Sequence, residues 1–279
     1  MALLEVCCGA PESADVAVAC GARRIELCAS LELDGLTPPV SWIRAVKERY
    51  PSLVLHVLIR PRAEDFCYST EEGAWMVSQV KEAVVAGADG IVVGALTPSG
   101  DVDVPLVQRL IDAGRGTAAR TGCLTAGGRR ESVTTGGRRV SVTAGARPVS
   151  VTFHRAYDVC RRPFEALEEI IGLSCNRLLT SGQGATVVEG SDLLRELRHR
   201  AAGRLIILPG GGVTPENAAR ILSLTGCTEI HASASETVGG QVLDGRVVAG
   251  RVVAGRVVAG RKVTSAAKVA AILRAIEGL

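Results

Sequence analysis

Aromatic residues are scarce in this 279-residue sequence, with three Phe, three Tyr and two Trp, 3% in all. A core without large rings has to be built from aliphatic side chains, and the 47% hydrophobic content supplies them. That excludes a chain disordered throughout. Also missing is any run approaching about 18 consecutive apolar residues, so no membrane-spanning helix is expected. The N-terminus reaches Glu5 where an export signal would need a basic flank and an unbroken apolar stretch. There is no disulfide framework: nine cysteines is an odd count at irregular spacings, and most lie in apolar runs, where reduced Cys packs as a small buried residue. The expected compartment is the cytoplasm, with the nucleus as a second.

Strong charge of one sign is absent from the body of the chain. The net charge is +3, but residues 114–147 hold seven arginines against Glu131, and residues 244–262 hold Arg246, Arg251, Arg256, Arg261 and Lys262 against Asp244. With these +6 and +4 set aside, the remainder is acidic by seven charges. Such a body offers no basic face for phosphates, so neither nucleic acid nor membrane is an expected partner. Both basic stretches are internal repeats. From Leu124 the chain reads LTAGGRRES, VTTGGRRVS and VTAGARPVS; from Gly245 it reads GRVVA three times. A five-residue period fits neither the helical 3.6 nor the strand 2, and three short copies cannot stack into a solenoid. Residues 114–146 and 244–262 are therefore expected to be flexible, solvated segments of one domain spanning residues 1–279.

With the first insertion removed, short β-branched runs alternate with helical patterns, which implies parallel strands joined by crossover helices. Strands are expected at 3–8, 24–28, 53–60, 90–94, 149–154, 177–181, 205–209 and 229–233. Helices are expected at about 11–20, 39–49, 71–86, 103–113, 163–172, 187–201, 214–224 and 264–277. Eight strand–helix units of this size predict an α/β fold, a (β/α)8 TIM barrel. In such a barrel, function sits where the C-terminal strand ends converge.

Those ends carry a polar set. The first two strands end in Glu5-Val6-Cys7 and Glu26-Leu27-Cys28. Side chains alternate along a strand, and an ionised Glu beneath the helix layer would be very unfavourable, so each Glu should face inward and carry its Cys with it. Two inward thiols on adjacent strands are either small core residues or a pair able to share one soft metal ion, with Cu(I) preferred over hard cations. Cys8 has the opposite parity and is expected to pack; only Cys67 is placed to add a third sulfur. Strand three presents His56 and Arg60 on one face, followed by Arg62, Asp65 and Tyr68. Strand five ends in His154, with Arg155 and Asp158 at the turn. Glu5, Glu26, His154 and Asp158 are candidates for acid–base work. Gly210, Gly211 and Gly212 end strand seven before a Thr214-Pro215 helix start, where backbone N–H groups are free to bind an anion. Arg60, Arg155, Ser181 and Ser233 are candidate partners for the same anion.

The segments MALLEVCC, GARRIELCASLELDGLTPP, LIRPRAEDFCYS, VTFHRAYDVC, RLLTSGQ and PGGGVTPENAARIL…TEIHASA occur in order along residues 1–235 and closely resemble the CutC copper-homeostasis family. The resemblance implies a cytosolic TIM barrel that binds Cu(I) through cysteines, with the family's two strand-end cysteines matching Cys7 and Cys28. It also implies homo-oligomers. The nine-residue repeats and the GRVVA run depart from that family, which puts the eighth strand-to-helix loop in question. Two functions stay open at this point: a copper-ion binder of copper homeostasis, and an enzyme acting on a small phosphorylated or carboxylated metabolite.

Overall fold

The computed structural model describes the backbone of residues 2–125, 130–135, 138–143, 148–238, 247–248, 251–252 and 261–279, and the side chains of 2–119, 148–238 and 262–279. Eight strands form one parallel sheet: β1 (Leu3–Cys8), β2 (Arg24–Leu27), β3 (Val54–Leu58), β4 (Gly90–Val93), β5 (Ser150–Phe153), β6 (Arg177–Thr180), β7 (Ile206–Pro209) and β8 (Glu229–Ala232). The strand order is β8-β1-β2-β3-β4-β5-β6-β7. The two ends of the sheet meet through a parallel bridge from Gly210 to His231, so the sheet curls into a nearly closed barrel. Among the described residues eight α-helices alternate with the strands: α1 (Pro11–Ala19), α2 (Val40–Arg49), α3 (Thr70–Val85), α4 (Val104–Thr125), α5 (Pro163–Gly172), α6 (Ser191–Ala201), α7 (Ala218–Thr225) and α8 (Ala266–Ile276). The expected (β/α)8 architecture is what the chain adopts.

Local chemistry explains several boundaries. The α3 helix opens on a capping box in which Ser69 accepts from the Glu72 N–H and Glu72 accepts from the Ser69 N–H, satisfying two orphan donors at once. The α7 helix begins at Ala218 rather than at Thr214. Asn217 Oδ1 accepts from the Thr214 N–H at 2.8 Å and closes a polar turn ahead of the first helical residue. The α4 helix, expected to stop near residue 113, continues to Thr125, just past the start of the repeats at Leu124. The flexibility expected of 114–146 and 244–262 falls largely on residues outside the described ones. Within the repeats, Arg130–Thr135 pairs antiparallel with Arg138–Thr143, and Val247–Val248 with Arg251–Val252. Ser235–Val238 pairs with Arg261–Thr264 and joins β8 to α8.

Burial divides into layers. A large aliphatic core, which includes Cys8, fills the space between sheet and helices. Inside the barrel a separate small cluster holds Cys7, Cys28, Leu58 and Val92, with Leu31 packed against it. Below that cluster the interior is charged: Arg24 reaches Glu5 at 2.7 Å and Glu229, and Glu229 also takes Arg177 at 2.7 Å. Burying these ions is tolerable because each is met by an opposite charge; removing one partner would strand the other.

Candidate metal centre

The alternation along β1 and β2 puts Glu5, Cys7, Glu26 and Cys28 inside the barrel, as their parity predicts. The β1–β2 register sets Glu5 against Arg24 and Cys7 against Glu26, and the Cys28 N–H continues the ladder by donating to the Cys8 carbonyl at 3.0 Å. The Cys7 and Cys28 sulfurs are 3.6 Å apart and both residues are buried. Among the described residues all cysteines are free thiols. Cys67 does not join the pair; its thiol donates to the Thr97 carbonyl in the loop after β4.

The group that sequence reasoning did not select is His231. Because β8 pairs with β1, His231 lies opposite Glu5. Cys7 Sγ, a Glu26 carboxylate oxygen and a His231 ring nitrogen all lie within 4.8 Å of one another. Nδ1 of His231 stands 2.9 Å from Glu5 Oε1, while Nε2 stands 3.6 Å from Glu26 Oε2. The strand-eight parity of Glu229, His231 and Ser233 was a usable signal, but it gains meaning only once β8 is known to neighbour β1.

Electrostatics follow from burial plus neighbours. Burial alone would raise the Glu5 carboxyl, yet His56 at 2.8 Å, His231 and Arg24 together hold it well below the usual range. Glu26 is pushed up by burial and by the Glu5 charge, with His231 opposing. The Cys7 thiol is raised well above its ordinary value by its hydrogen bond with Cys28, by burial and by Glu26. Burial works against a charged His231, but its bonds to Cys7 and Glu5 and the Glu26 charge raise it well above the ordinary histidine value. Soft sulfurs and an imidazole suit Cu(I); of the two carboxylates nearby, Glu5 is engaged by Arg24, His56 and His231, and Glu26 alone is too little for a hard cation.

The remaining predicted residues fall into two groups. Asp158 is saturated: it accepts from the Thr180 hydroxyl and, at 3.0 Å, from both the Ser181 N–H and hydroxyl, and it pairs with Arg155 at 2.7 Å. A carboxylate so engaged orders the loop after β6 and has little capacity left for proton transfer. Arg155 also lies over the glycine turn, where a Cβ on Gly211 would come 3.1 Å from its guanidinium carbon. Gly211 and Gly212 take φ of +108° and +77°, so the turn requires glycine there. Ser233 is exposed, and its hydroxyl lies 3.3 Å from that of Ser235. Arg60 and His154 are buried on the other side of the mouth.

The CutC family model matches residues 2–121 and 121–236. The chain belongs to the CutC family. Among curated CutC proteins, one from Bacteroides thetaiotaomicron is 41% identical over 84% of this chain and 81% of its own length. One from Chromobacterium violaceum is 38% identical over 99% of this chain and 98% of its own. The solved CutC of Streptococcus agalactiae, described as a candidate copper homeostasis protein, superposes with a TM-score of 0.68 at 24% identity, over 84% of this chain and 99% of that one. That likeness shows the shared barrel. Among the described residues no helix is long and apolar enough to cross a membrane.

Proposed function

We propose that this CutC-family chain binds Cu(I) inside its barrel mouth and serves copper homeostasis in the cytoplasm, as a homo-oligomer. The observation that carries the reading is the 3.6 Å approach of the Cys7 and Cys28 sulfurs beside a carboxylate-backed His231. Cys7 and Cys28 would hold the ion as thiolates, and the His231 ring, with a nitrogen within 4.8 Å of the Cys7 sulfur, would supply a third donor on the Cys7 side. Glu5 orients that ring, in the manner of a carboxylate behind a metal-binding histidine. The metal supplies no bond-making step here; it is cargo.

Anaerobic titration with Cu(I) against a chromophoric chelator tests this. One ion per chain is expected, lost in Cys7→Ser and in Cys28→Ser and kept in Cys20→Ser. Unchanged stoichiometry in the Cys7→Ser/Cys28→Ser double variant would return both thiols to simple packing.

A further inference from the structure

The second feature of the mouth is built from residues just beyond β3 and β5. Arg60, just beyond β3, is 7% exposed, so its positive charge is buried. Its terminal nitrogens donate to neutral carbonyls, those of Leu33 at 2.8 Å, Gly35 at 2.9 Å and Glu64 at 3.5 Å. Among the described residues no carboxylate pairs with it, and its Nε has no hydrogen-bond partner. By contrast, Arg24 and Arg177, the other arginines set into this barrel, both meet Glu229. A buried cation surrounded by neutral groups is unfavourable unless an anion completes it.

His154, at the end of β5, supplies the complementary group. Its Nδ1 accepts from the Ala156 N–H at 3.1 Å. A ring nitrogen that accepts carries no proton, so in the neutral imidazole the hydrogen sits on Nε2, which is a donor. That Nε2 is buried and, among the described residues, has no hydrogen-bond partner. Neutrality is enforced, since burial and the Arg60 charge lower the histidine to about 3. Phe66 ties the two residues together: its ring centroid is 5.1 Å from the His154 ring and 5.2 Å from the Arg60 guanidinium carbon. Gly94, beyond β4, makes room, because a Cβ there would come 2.5 Å from His154 Nδ1. Tyr68, on the loop that carries Phe66, has a buried hydroxyl that also lacks a hydrogen-bond partner among the described residues.

We infer that the mouth holds a second site, for a small oxyanion, in which Arg60 supplies the charge and His154 Nε2–H a neutral hydrogen bond. The ligand class is a small carboxylate or phosphate ester, because two N–H donors and one phenol call for acceptor oxygens, and the charge calls for a negative one. Arg155, beyond β5, and the glycine turn, beyond β7, face the same mouth and would meet the ligand's outer end. The site does not depend on copper.

The test uses the metal-free full-length protein. Inorganic phosphate and sodium acetate are titrated separately against sodium chloride of equal ionic strength, while melting temperature and the imidazole N–H resonance of His154 are followed. At least one oxyanion should raise the melting temperature saturably and shift that resonance, and which one does so separates a phosphoryl ligand from a carboxylate. His154→Phe, which keeps a ring but no donor, and Arg60→Met, which keeps length but no charge, should each weaken binding at least tenfold. The inference is overturned if neither probe exceeds chloride, or if both variants bind as tightly as the parent, which would mean an adventitious ion only. The resonance is read in the unsubstituted protein, so the test discriminates even where Arg60→Met does not fold.

Discussion

Glu5 Oε1 and His231 Nδ1 stand 2.9 Å apart across the β1–β8 pairing, joining residues 226 positions apart in the chain. This contact does two jobs. It gives a buried carboxylate one of its three partners, and it fixes which ring nitrogen of His231 faces Glu26 and Cys7. Glu5→Gln keeps the shape and removes the charge. Loss of such a supporting carboxylate lowers metal affinity about 10–100-fold, and Arg24, which keeps Glu229, loses a charge-assisted bond of about 1.5–3 kcal/mol. Competitive Cu(I) titration and urea unfolding measure the two effects. A variant that matched the parent in both would remove Glu5 from either role.

Copper affinity should rise with pH. Cys7 is held well above the ordinary thiol value by Cys28, burial and Glu26, so near neutral pH it carries a proton that Cu(I) must displace. At least one proton is then released per ion bound, and a second where His231, also raised, gives up its own, so the apparent affinity should gain at least tenfold per pH unit across the neutral range. Chelator competition at several pH values reads the slope. A flat profile would mean that the sulfur is already a thiolate or is not a ligand.

Much of this site was legible as parity. The period-2 alternation in LLEVCC and RIELC separates Cys7 from Cys8, and the structure puts Cys7 in the barrel interior and Cys8 in the outer core. What parity does not contain is closure. That Glu5 meets His231 and that Arg24 meets Glu229 depends on β8 returning to β1, a pairing with no local signal. Loop chemistry was the other gap. Arg60 reads as a cation at a strand end, but that its guanidinium also donates to the carbonyls of Leu33 and Gly35 depends on the folded course of that loop. Thr214-Pro215 reads as a helix start because Pro suits a first turn; the Asn217 side chain does take the Thr214 N–H and the Ala218 N–H donates to the Thr214 carbonyl, but residues 215–217 form a turn and the regular helix begins at Ala218.

Glycine on β4 is a packing requirement. A Cβ at Gly90 would overlap the His56 ring and approach the Ser150 carbonyl to 3.1 Å. The ring is held by its Glu5 contact and cannot retreat without breaking it. Gly90→Ala should therefore destabilise the barrel by about 1–3 kcal/mol, the usual range for overpacking a filled core. Chemical denaturation at neutral pH checks the value. Stability equal to the parent's would show that the His56 ring has room to move.

The last prediction concerns acid stability and isolates His154. In the unfolded chain a histidine titrates near 6.5, whereas in the folded protein burial, and then the Arg60 charge, lower His154 to about 3. A lowered histidine leaves stability untouched above the unfolded value. Between the two values the unfolded state takes up a proton that the native state refuses, so stability falls as pH falls. The loss is about 1.4 kcal/mol per unit, or roughly 2 kcal/mol by pH 5. Other groups, Glu5 and Glu229 among them, also weaken the fold in acid, so the comparison must be made against His154→Phe, which lacks only this titration. Unfolding free energies measured from pH 7.5 to pH 5 should converge, the parent losing about 2 kcal/mol more than the variant. Parallel curves would show that His154 accepts its proton in the folded state, and that its Nδ1 is not committed to the Ala156 N–H.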